Sequence, residues 1–385
     1  MQKSDRLLMA LLRNEVCGED VEIDAISEAE LGELYTFATS HDLAHLVASA
    51  LSKRGLLLDD EISKKLEKQQ MMAIFRSEGL VYELERICAA LEEVGIDHIP
   101  LKGAVLREYY PESWMRTSCD IDILVRESDL ERAGEVFERT LGYNKGVKNE
   151  HDVSYHSGAG VHIELHYNLI EDGRLKNIDD ILATAWDHTS KKDGYEHWLL
   201  LDDAMFYLYH IAHIAKHFGA GGIGIRPFLD LWVLENRVEC DRAKRAELIR
   251  RAELEKFTSI AVRLMNVWFS HGEHTDASRQ LEEYILANGS YGTLENRVSA
   301  TQSQNDGTKL SKLMKRIFVP YDILKLRYPI IEKYRWLSPV MQIRRIFAIA
   351  FGGRFKYSMK VIKTNVTMSD EKVKEYKKFT DEMGL

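Results

Sequence analysis

The segment CDIDILV, residues 119–125, is the feature that most constrains the fold of this chain. Strict alternation puts three apolar side chains on one face of an extended strand and Asp120 and Asp122 on the other face. The apolar face predicts a strand in the middle of a sheet. Two carboxylates about 7 Å apart at Cα then cost stability unless they are paired or bind cations. Acids on a solvent-facing strand would give the same pattern, so the aspartates alone do not decide between the two interpretations.

A second strand pattern, VHIELHYNL at residues 161–169, supplies another acid. Alternation sets Glu164 on one face together with His162 and His166. If this strand lies beside CDIDILV, three carboxylates converge on one sheet face, a donor set that suits Mg²⁺ or Mn²⁺. The two histidines either orient Glu164 or contact a substrate, or they belong to an ordinary polar sheet face.

The motif LKGA, residues 101–104, follows the short β-rich segment IDHIPL. Gly103 is expected to begin a helix where a strand ends, and backbone amides at such a helix start bind phosphate. Lys102 adds a positive charge, and Arg116 is able to pair bidentately with phosphate oxygens. Both cations have an alternative interpretation as ordinary surface residues.

Taken in order, LKGAVLREYYPESWMRTSCDIDILV, LGY and VHIELHYNL resemble the bacterial uncharacterised nucleotidyltransferase family of the polymerase-β-like nucleotidyltransferase superfamily. The resemblance implies a small α/β core in which a glycine motif holds a triphosphate, two strand aspartates bind metal and a third acid completes the site. Gly103, Asp120, Asp122 and Glu164 match those positions. The chain departs from the usual pattern because Ala104 stands where glycine or serine is common, and because fifteen residues separate it from the first aspartate.

The expected activity is transfer of a nucleoside monophosphate from a nucleoside triphosphate, with ATP favoured, to an acceptor hydroxyl, releasing pyrophosphate. We expect Asp120 and Asp122 to bridge two metal ions about 3.5–4 Å apart, and Glu164 to hold the ion nearer the nucleophile and accept its proton. The triphosphate contacts are expected from residues 102–104 and Arg116. One alternative is a non-catalytic member of the same fold that binds nucleotide or protein. Another is an RNA-modifying nucleotidyltransferase.

The helical pattern that returns after residue 201 carries further candidates. His210, His213 and His217 fall on one helix face, and we expect core or cleft-lining histidines rather than a separate metal site, with His213 and His217 as the candidate nucleotide contacts. The sequence GAGGIG at 219–224 follows a helix, not a strand, and therefore does not predict a dinucleotide site. Arg226 is expected to close over the nucleotide, or alternatively to pair with the acid four residues later.

The fold class predicted is α+β, a small mixed-sheet nucleotidyltransferase core flanked by N-terminal and C-terminal helical regions. The predicted divisions are an N-terminal helical region at 1–95, the α/β core at 96–195, a helical domain packing over the active site at 196–300, and a basic helical region at 301–385. A Ser-, Asn- and Gly-rich stretch, 288–306, predicts a surface loop.

The distribution of charge predicts a segment that binds a partner, and the use of cysteine predicts the cellular compartment. The net charge is −9, yet Lys309–Lys363 holds fourteen Lys or Arg residues against two acids, a local balance of +12. This segment either docks on the acidic body or contacts RNA. Four scattered cysteines without C-x-x-C spacing, an N-terminus unlike a signal peptide and no long apolar run predict a cytoplasmic protein without a membrane span. The acceptor and the oligomeric state are not specified by the sequence.

Overall fold

A computed structural model describes residues 3–169, 176–290, 292–303, 317–351 and 355–385 of the chain. Most of these residues are helical. In chain order the α-helices are α1 (Lys3–Leu12), α2 (Glu28–Ser40), α3 (Ala44–Lys53), α4 (Glu61–Glu93), α5 (Gly103–Leu106), α6 (Leu130–Glu135), α7 (Lys176–Leu182), α8 (Asp203–Gly219), α9 (Arg226–Asn236), α10 (Arg242–Arg251), α11 (Glu255–Phe269), α12 (Asp276–Asn288), α13 (Leu294–Ser303), α14 (Tyr321–Arg327), α15 (Ile330–Lys333), α16 (Ser338–Phe351), α17 (Phe355–Thr367) and α18 (Asp370–Met383).

The middle of the chain forms a five-stranded mixed sheet. Its strands are β1 (His98–Pro100), β2 (Asp120–Val125), β3 (Asn144–Lys148), β4 (Asp152–His156) and β5 (His162–His166), in the order β1-β2-β5-β4-β3. The pair β2 and β5 is parallel, and every other neighbouring pair is antiparallel. A separate hairpin joins β6 (Thr189–Lys191) to β7 (Leu199–Leu201). With helical regions before and after it, this sheet gives the predicted α+β fold class.

The apolar face of β2 is buried as the alternation predicts. Ile121, Ile123 and Val125 pack in a core with Ile87 of α4 and with Phe137, which follows α6. Since β2 has a hydrogen-bonded strand on each side, it is an inner strand of the sheet, as the sequence pattern indicates. Because the apolar side chains of β2 are packed in this core, Asp120 and Asp122 lie on the opposite face of the sheet.

A second, larger core lies on the other side of the sheet. It joins Leu124 of β2 to Leu208 and Ile211 of α8, and to apolar residues from α1 to α3 and from α9 to α12. Asp202 caps α8, accepting a hydrogen bond from the Met205 amide at 2.9 Å. This core holds α8 over the sheet face that carries the acids. The division of the chain at residues 95, 195 and 300 remains a prediction.

The C-terminal region contains short helices whose starts coincide with prolines. Pro320 and Pro329 immediately precede α14 and α15, and Pro339 is the second residue of α16, positions where a missing amide hydrogen is tolerated. Part of the basic segment, residues 309–316 and 352–354, lies outside the described residues. No helix among the described residues is long and apolar enough to cross a membrane.

The expectation of a surface loop at 288–306 is wrong for residues 294–303, which form α13. The buried side chains of Val298 and Ala300 explain why a polar sequence becomes helical here. Tertiary packing against the C-terminal helices outweighs the weak helix preference of Ser, Asn and Thr. Residues 304–306 of the expected loop lie outside the described part of the chain.

Candidate functional site

The register of β2 and β5 brings the three predicted acids together. Asp122 is paired with Glu164, and Asp120 is paired with His162, on adjacent parallel strands. Ligand atoms of Asp120, His162 and Glu164 lie within 4.8 Å of one another, and so do those of Asp122, Glu164 and His166. The adjacency of the two strands, on which the predicted convergence of the acids depended, is thus present in the structure.

The two aspartates have different electrostatic surroundings although they lie two residues apart. Burial, and then the charge of Asp122, raise the pKa of Asp120 to about 6. Burial would also raise the pKa of Asp122, but Lys102 and His166 hold that pKa well below its usual range. Asp122 is therefore a charge-compensated carboxylate, whereas at Asp120 the opposing effect of Lys102 is too small to offset burial and the charge of Asp122.

Lys102 supplies part of this compensation. Its Nζ lies 2.9 Å from Oδ1 of Asp122, and although burial opposes the charged form, the Asp122 carboxylate raises the pKa of Lys102. The backbone at Lys102 has φ 46° and ψ −118°, a conformation that strongly favours glycine. Strained positions of this kind cluster at functional sites, and the strain here aims a cation at a candidate metal ligand.

The position of His166 favours one of the three interpretations of the strand histidines, namely that it orients Glu164. It is buried, and its Nε2 lies 2.9 Å from Oδ1 of Asp122 and 3.5 Å from Oε2 of Glu164. Despite burial, these two carboxylates raise the pKa of His166. His162 is more distant, with Nδ1 at 4.0 Å from Oε1 of Glu164. His166 thus orients two of the acids, while His162 is placed to act as a nitrogen ligand beside Asp120.

Gly103 lies in a narrow space next to this acidic face. A Cβ atom at this position would lie 3.1 Å from Cβ of Ser118 and 3.4 Å from Nη1 of Arg116, so a side chain would displace its neighbours. Arg107 donates from Nε to the Gly103 carbonyl oxygen at 2.8 Å and from Nη2 to the Ser118 hydroxyl at 2.8 Å. The adjacent Ala104 amide donates to Leu101 O. Two guanidinium groups therefore border the glycine.

Arg116 takes part in a buried ion pair. Its Nε donates to Oδ1 of Asp230 at 2.7 Å, and the same oxygen accepts from the hydroxyl of Tyr110 at 2.7 Å. Arg116 also donates from Nη1 to the Thr117 carbonyl oxygen. One edge of the guanidinium is thus committed to α9, and Nη1 is the atom that faces Gly103. Phosphate binding by Arg116 stays a prediction.

Comparison with known proteins places these residues in a family. Residues 27–270 match the model of a family described as "Uncharacterised nucleotidyltransferase". The chain belongs to this family. No curated protein and no solved structure gives a significant match. Membership of the nucleotidyltransferase family implies a nucleotide substrate, while its bacterial origin and its superfamily placement stay predictions.

The span that matches the nucleotidyltransferase family includes α8, which brings three titratable side chains toward the acids. The rings of His213 and His217 are 4.3 Å apart in an edge-to-face arrangement. Burial, together with Lys102, holds the pKa of His213 well below its ordinary value, and burial, together with Lys216, lowers the pKa of His217 to about 4. Neutral imidazoles suit the cleft-lining role that the sequence predicts for both histidines, and that role remains a prediction.

Lys216 is a residue that the sequence analysis missed. Burial, and then repulsion from Lys102, lower the pKa of Lys216 to about 8, while Glu164 and Asp122 oppose the change. The Lys216 ammonium group therefore interacts electrostatically with Lys102, Glu164 and Asp122. No sequence motif marks Lys216, and its proximity to the acids follows only from the packing of α8 over the sheet.

Arg226 is paired differently from the ion pair with the acid four residues later that the sequence offered as an alternative. Its Nη1 donates to Oδ2 of Asp42 at 2.6 Å and to the Thr117 carbonyl oxygen at 3.2 Å. It does not pair with the acid four residues later, because Asp230 is taken by Arg116 and Tyr110. The cation thus links α9 to the N-terminal helices and to the segment that leads into β2. A lid role for Arg226 remains a prediction.

The glycine-rich stretch before Arg226 is a packing feature. Residues 221–225 are buried, and Gly221 has φ 101°. A Cβ at Gly221 would lie 2.6 Å from the amide nitrogen of Arg297. Gly221 therefore lets the backbone at the start of α13 approach closely.

Proposed function

We propose that this protein is a metal-dependent nucleotidyltransferase that moves a nucleoside monophosphate from a nucleoside triphosphate, with ATP favoured, to an acceptor hydroxyl. The observation that carries the proposal is the pairing of Asp122 with Glu164 on adjacent parallel strands, with Asp120 on the same face. Family membership supports the same activity at the general level.

The donor set fits Mg²⁺ or Mn²⁺. Carboxylate oxygens of Asp120, Asp122 and Glu164 would hold the metal, with a nitrogen of His162 or His166 within reach, and such hard oxygen donors are what these ions prefer. Burial and the charge of Asp122 raise the pKa of Asp120, and a bound cation would offset both effects. When bound, the metal supplies Lewis-acid stabilisation of negative charge on the triphosphate.

The chain's own residues would position the reaction around this face. The triphosphate would lie beside Gly103, where Lys102 and Arg116 contribute positive charge. The acceptor oxygen forms a bond to the α-phosphorus as the bond from that phosphorus to the bridging oxygen of the leaving pyrophosphate breaks. Glu164 accepts the acceptor's proton on a carboxylate oxygen. His166 fixes the orientation of Glu164 during this transfer.

The position of the label separates this activity from its rivals. The full chain is incubated with Mg²⁺, cell extract and ATP carrying label on either the α- or the γ-phosphate. The proposal expects the α-label in an acceptor and the γ-label in pyrophosphate. Transfer of the γ-label to an acceptor would mean phosphoryl transfer and would overturn the proposal, and binding of ATP without any transfer would favour a non-catalytic member of the fold. Recovery of the α-label in RNA would identify the RNA-modifying alternative.

A further inference from the structure

A stripe of exposed apolar side chains runs along α16 and the turn before it. The stripe consists of Trp336, Val340, Ile343, Phe347 and Phe351, which are 73%, 50%, 54%, 57% and 85% exposed. The spacing of three and four residues places them on one side of the helix. More than half of the large apolar side chains that are exposed in the described residues lie between Phe318 and Val366. This region follows the span that matches the family.

The orientation of the stripe is fixed by contacts on the opposite side of α16. Gln342 donates from Nε2 to the Val319 carbonyl oxygen at 2.5 Å, and Arg345 donates from Nη1 to the Ile317 carbonyl oxygen at 2.9 Å. Both anchoring residues are partly buried. The polar side of the helix is thus turned inward to the preceding segment, and the apolar side is turned outward.

The sequence that contains the stripe is rich in positive charge. Between Glu332 and Asp370 the sequence contains eight Lys or Arg residues and no acid, although the whole chain carries a net charge of −9. Arg344, Lys356 and Lys360 are exposed within this stretch. A surface that combines outward aromatic and aliphatic side chains with cations is complementary to a layer that presents anionic groups above an apolar interior.

We infer that this surface binds the face of an anionic lipid bilayer, with α16 lying in the headgroup region. The helix has 14 residues, about 21 Å in length, which is too short for the roughly 30 Å hydrocarbon core and suits a helix parallel to the surface. Nucleic acid would satisfy the cations but would leave Val340 and Ile343 uncovered, because aliphatic side chains offer no ring for base stacking. A bilayer covers both parts of the surface.

Vesicle co-sedimentation of the full chain tests the proposal. Binding is expected to vesicles of phosphatidylcholine with phosphatidylglycerol, and to be about tenfold or more weaker with phosphatidylcholine alone. The variant Ile343→Glu with Phe347→Glu is expected to lose binding by about tenfold or more. Phe75→Glu is the matched control, because Phe75 is 81% exposed on α4 and lies outside the proposed surface. Failure to bind the anionic vesicles, or equal binding by the double variant, would overturn the proposal.

Trp336 provides a spectroscopic readout that does not require the Ile343→Glu, Phe347→Glu variant. Its emission is expected to shift to shorter wavelength on addition of anionic vesicles, and Trp336→Phe is expected to remove that shift. Two further outcomes would overturn the proposal. One is a dimer in solution that the Ile343→Glu, Phe347→Glu variant dissociates, with no vesicle binding, which would assign the surface to a second copy. The other is salt-dependent RNA binding without vesicle binding, which would assign it to nucleic acid.

Discussion

Nζ of Lys102 and Nε2 of His166 both lie 2.9 Å from the same atom, Oδ1 of Asp122. The carboxylate that faces Glu164 across the strand pair is therefore already neutralised by the protein, whereas the pKa of Asp120 is raised to about 6. This asymmetry gives the two aspartates separate roles. Asp122 organises the site through buried contacts, and Asp120 is the carboxylate that gains most from a bound cation.

Replacing each aspartate should therefore have opposite effects on stability. Asp122→Asn is expected to lower the free energy of unfolding by about 1–3 kcal/mol, because it leaves Lys102 and His166 without their shared carboxylate. Asp120→Asn is expected to leave the free energy of unfolding unchanged or to raise it, because it removes repulsion from Asp122. Urea unfolding of both variants in EDTA measures the difference. Equal destabilisation by the two substitutions would contradict the asymmetry.

The pH dependence of stability reports on Asp120 directly. Since its pKa is about 6 in the folded chain and 3.8 is the ordinary value, the folded state binds the proton more tightly between these values. The contribution of Asp120 to the free energy of unfolding of the metal-free protein should then fall as pH rises from about 4 to about 6, by an amount on the order of 1–2 kcal/mol. The difference in free energy of unfolding between Asp120→Asn and the parent chain should therefore change by this amount over the same interval. Parallel profiles for the variant and the parent chain would show that Asp120 does not titrate in this range.

Metal and nucleotide binding should be linked. Mg²⁺ or Mn²⁺ is expected to raise the affinity for ATP about tenfold or more, because the cation offsets repulsion between the triphosphate and three carboxylates. A zinc-selective chelator should have no effect, since the proposed ligands are mainly carboxylate oxygens. Titration calorimetry with and without divalent ion measures the linkage, with Asp120→Asn as the control that should reduce it. Equal ATP affinity with and without divalent ion would show that nucleotide binding does not depend on the metal.

The strand alternation predicted the acidic face well because a period of two fixes which side chains share a face. It assigned Asp120 and Asp122 to one face and identified Glu164 as the third acid, and the structure confirms that they converge. The start of α5 at Gly103 was also predicted correctly. These are local properties of strands and of their ends.

The partners of the cations could not be predicted from the sequence, because each comes from a distant part of the chain. Arg116 pairs with Asp230 and Arg226 pairs with Asp42, and both pairs depend on how α9 packs. Lys216 approaches the acids only because α8 crosses the sheet. The strand β3 was missed since all its side chains are exposed and show no alternation.

Glu164 can be tested as the proton acceptor by separating binding from turnover. Glu164→Gln is expected to retain ATP affinity, because Asp120 and Asp122 remain, while turnover falls about 100-fold or more. Single-turnover kinetics and calorimetry on the same preparation measure the two quantities. Normal turnover by this variant would show that Glu164 is not the third acid of the site.

A matched pair of variants tests the role of the ion pair between Arg226 and Asp42. Arg226→Ala is expected to weaken nucleotide or acceptor binding more than it slows chemistry, whereas Asp42→Ala keeps the cation and should affect binding less. Since both side chains are partly exposed, each variant should lower the free energy of unfolding by no more than about 1 kcal/mol. Comparison of KM and kcat for the two variants shows whether Arg226 acts in binding. If Arg226→Ala changes neither constant, the proposed lid role is wrong.

The central claim is that the acids of β2 and β5 carry metal-dependent nucleotidyl transfer. The most direct measurement is the rate of pyrophosphate release from ATP, in the presence of cell extract depleted of its own triphosphates, by the parent chain and by Asp120→Asn. This variant leaves the Lys102, Asp122 and His166 contacts in place. Mg²⁺-dependent release by the parent chain is expected, with a loss of about 100-fold or more in the variant. Equal release by the two proteins, or release unaffected by EDTA, would contradict this claim.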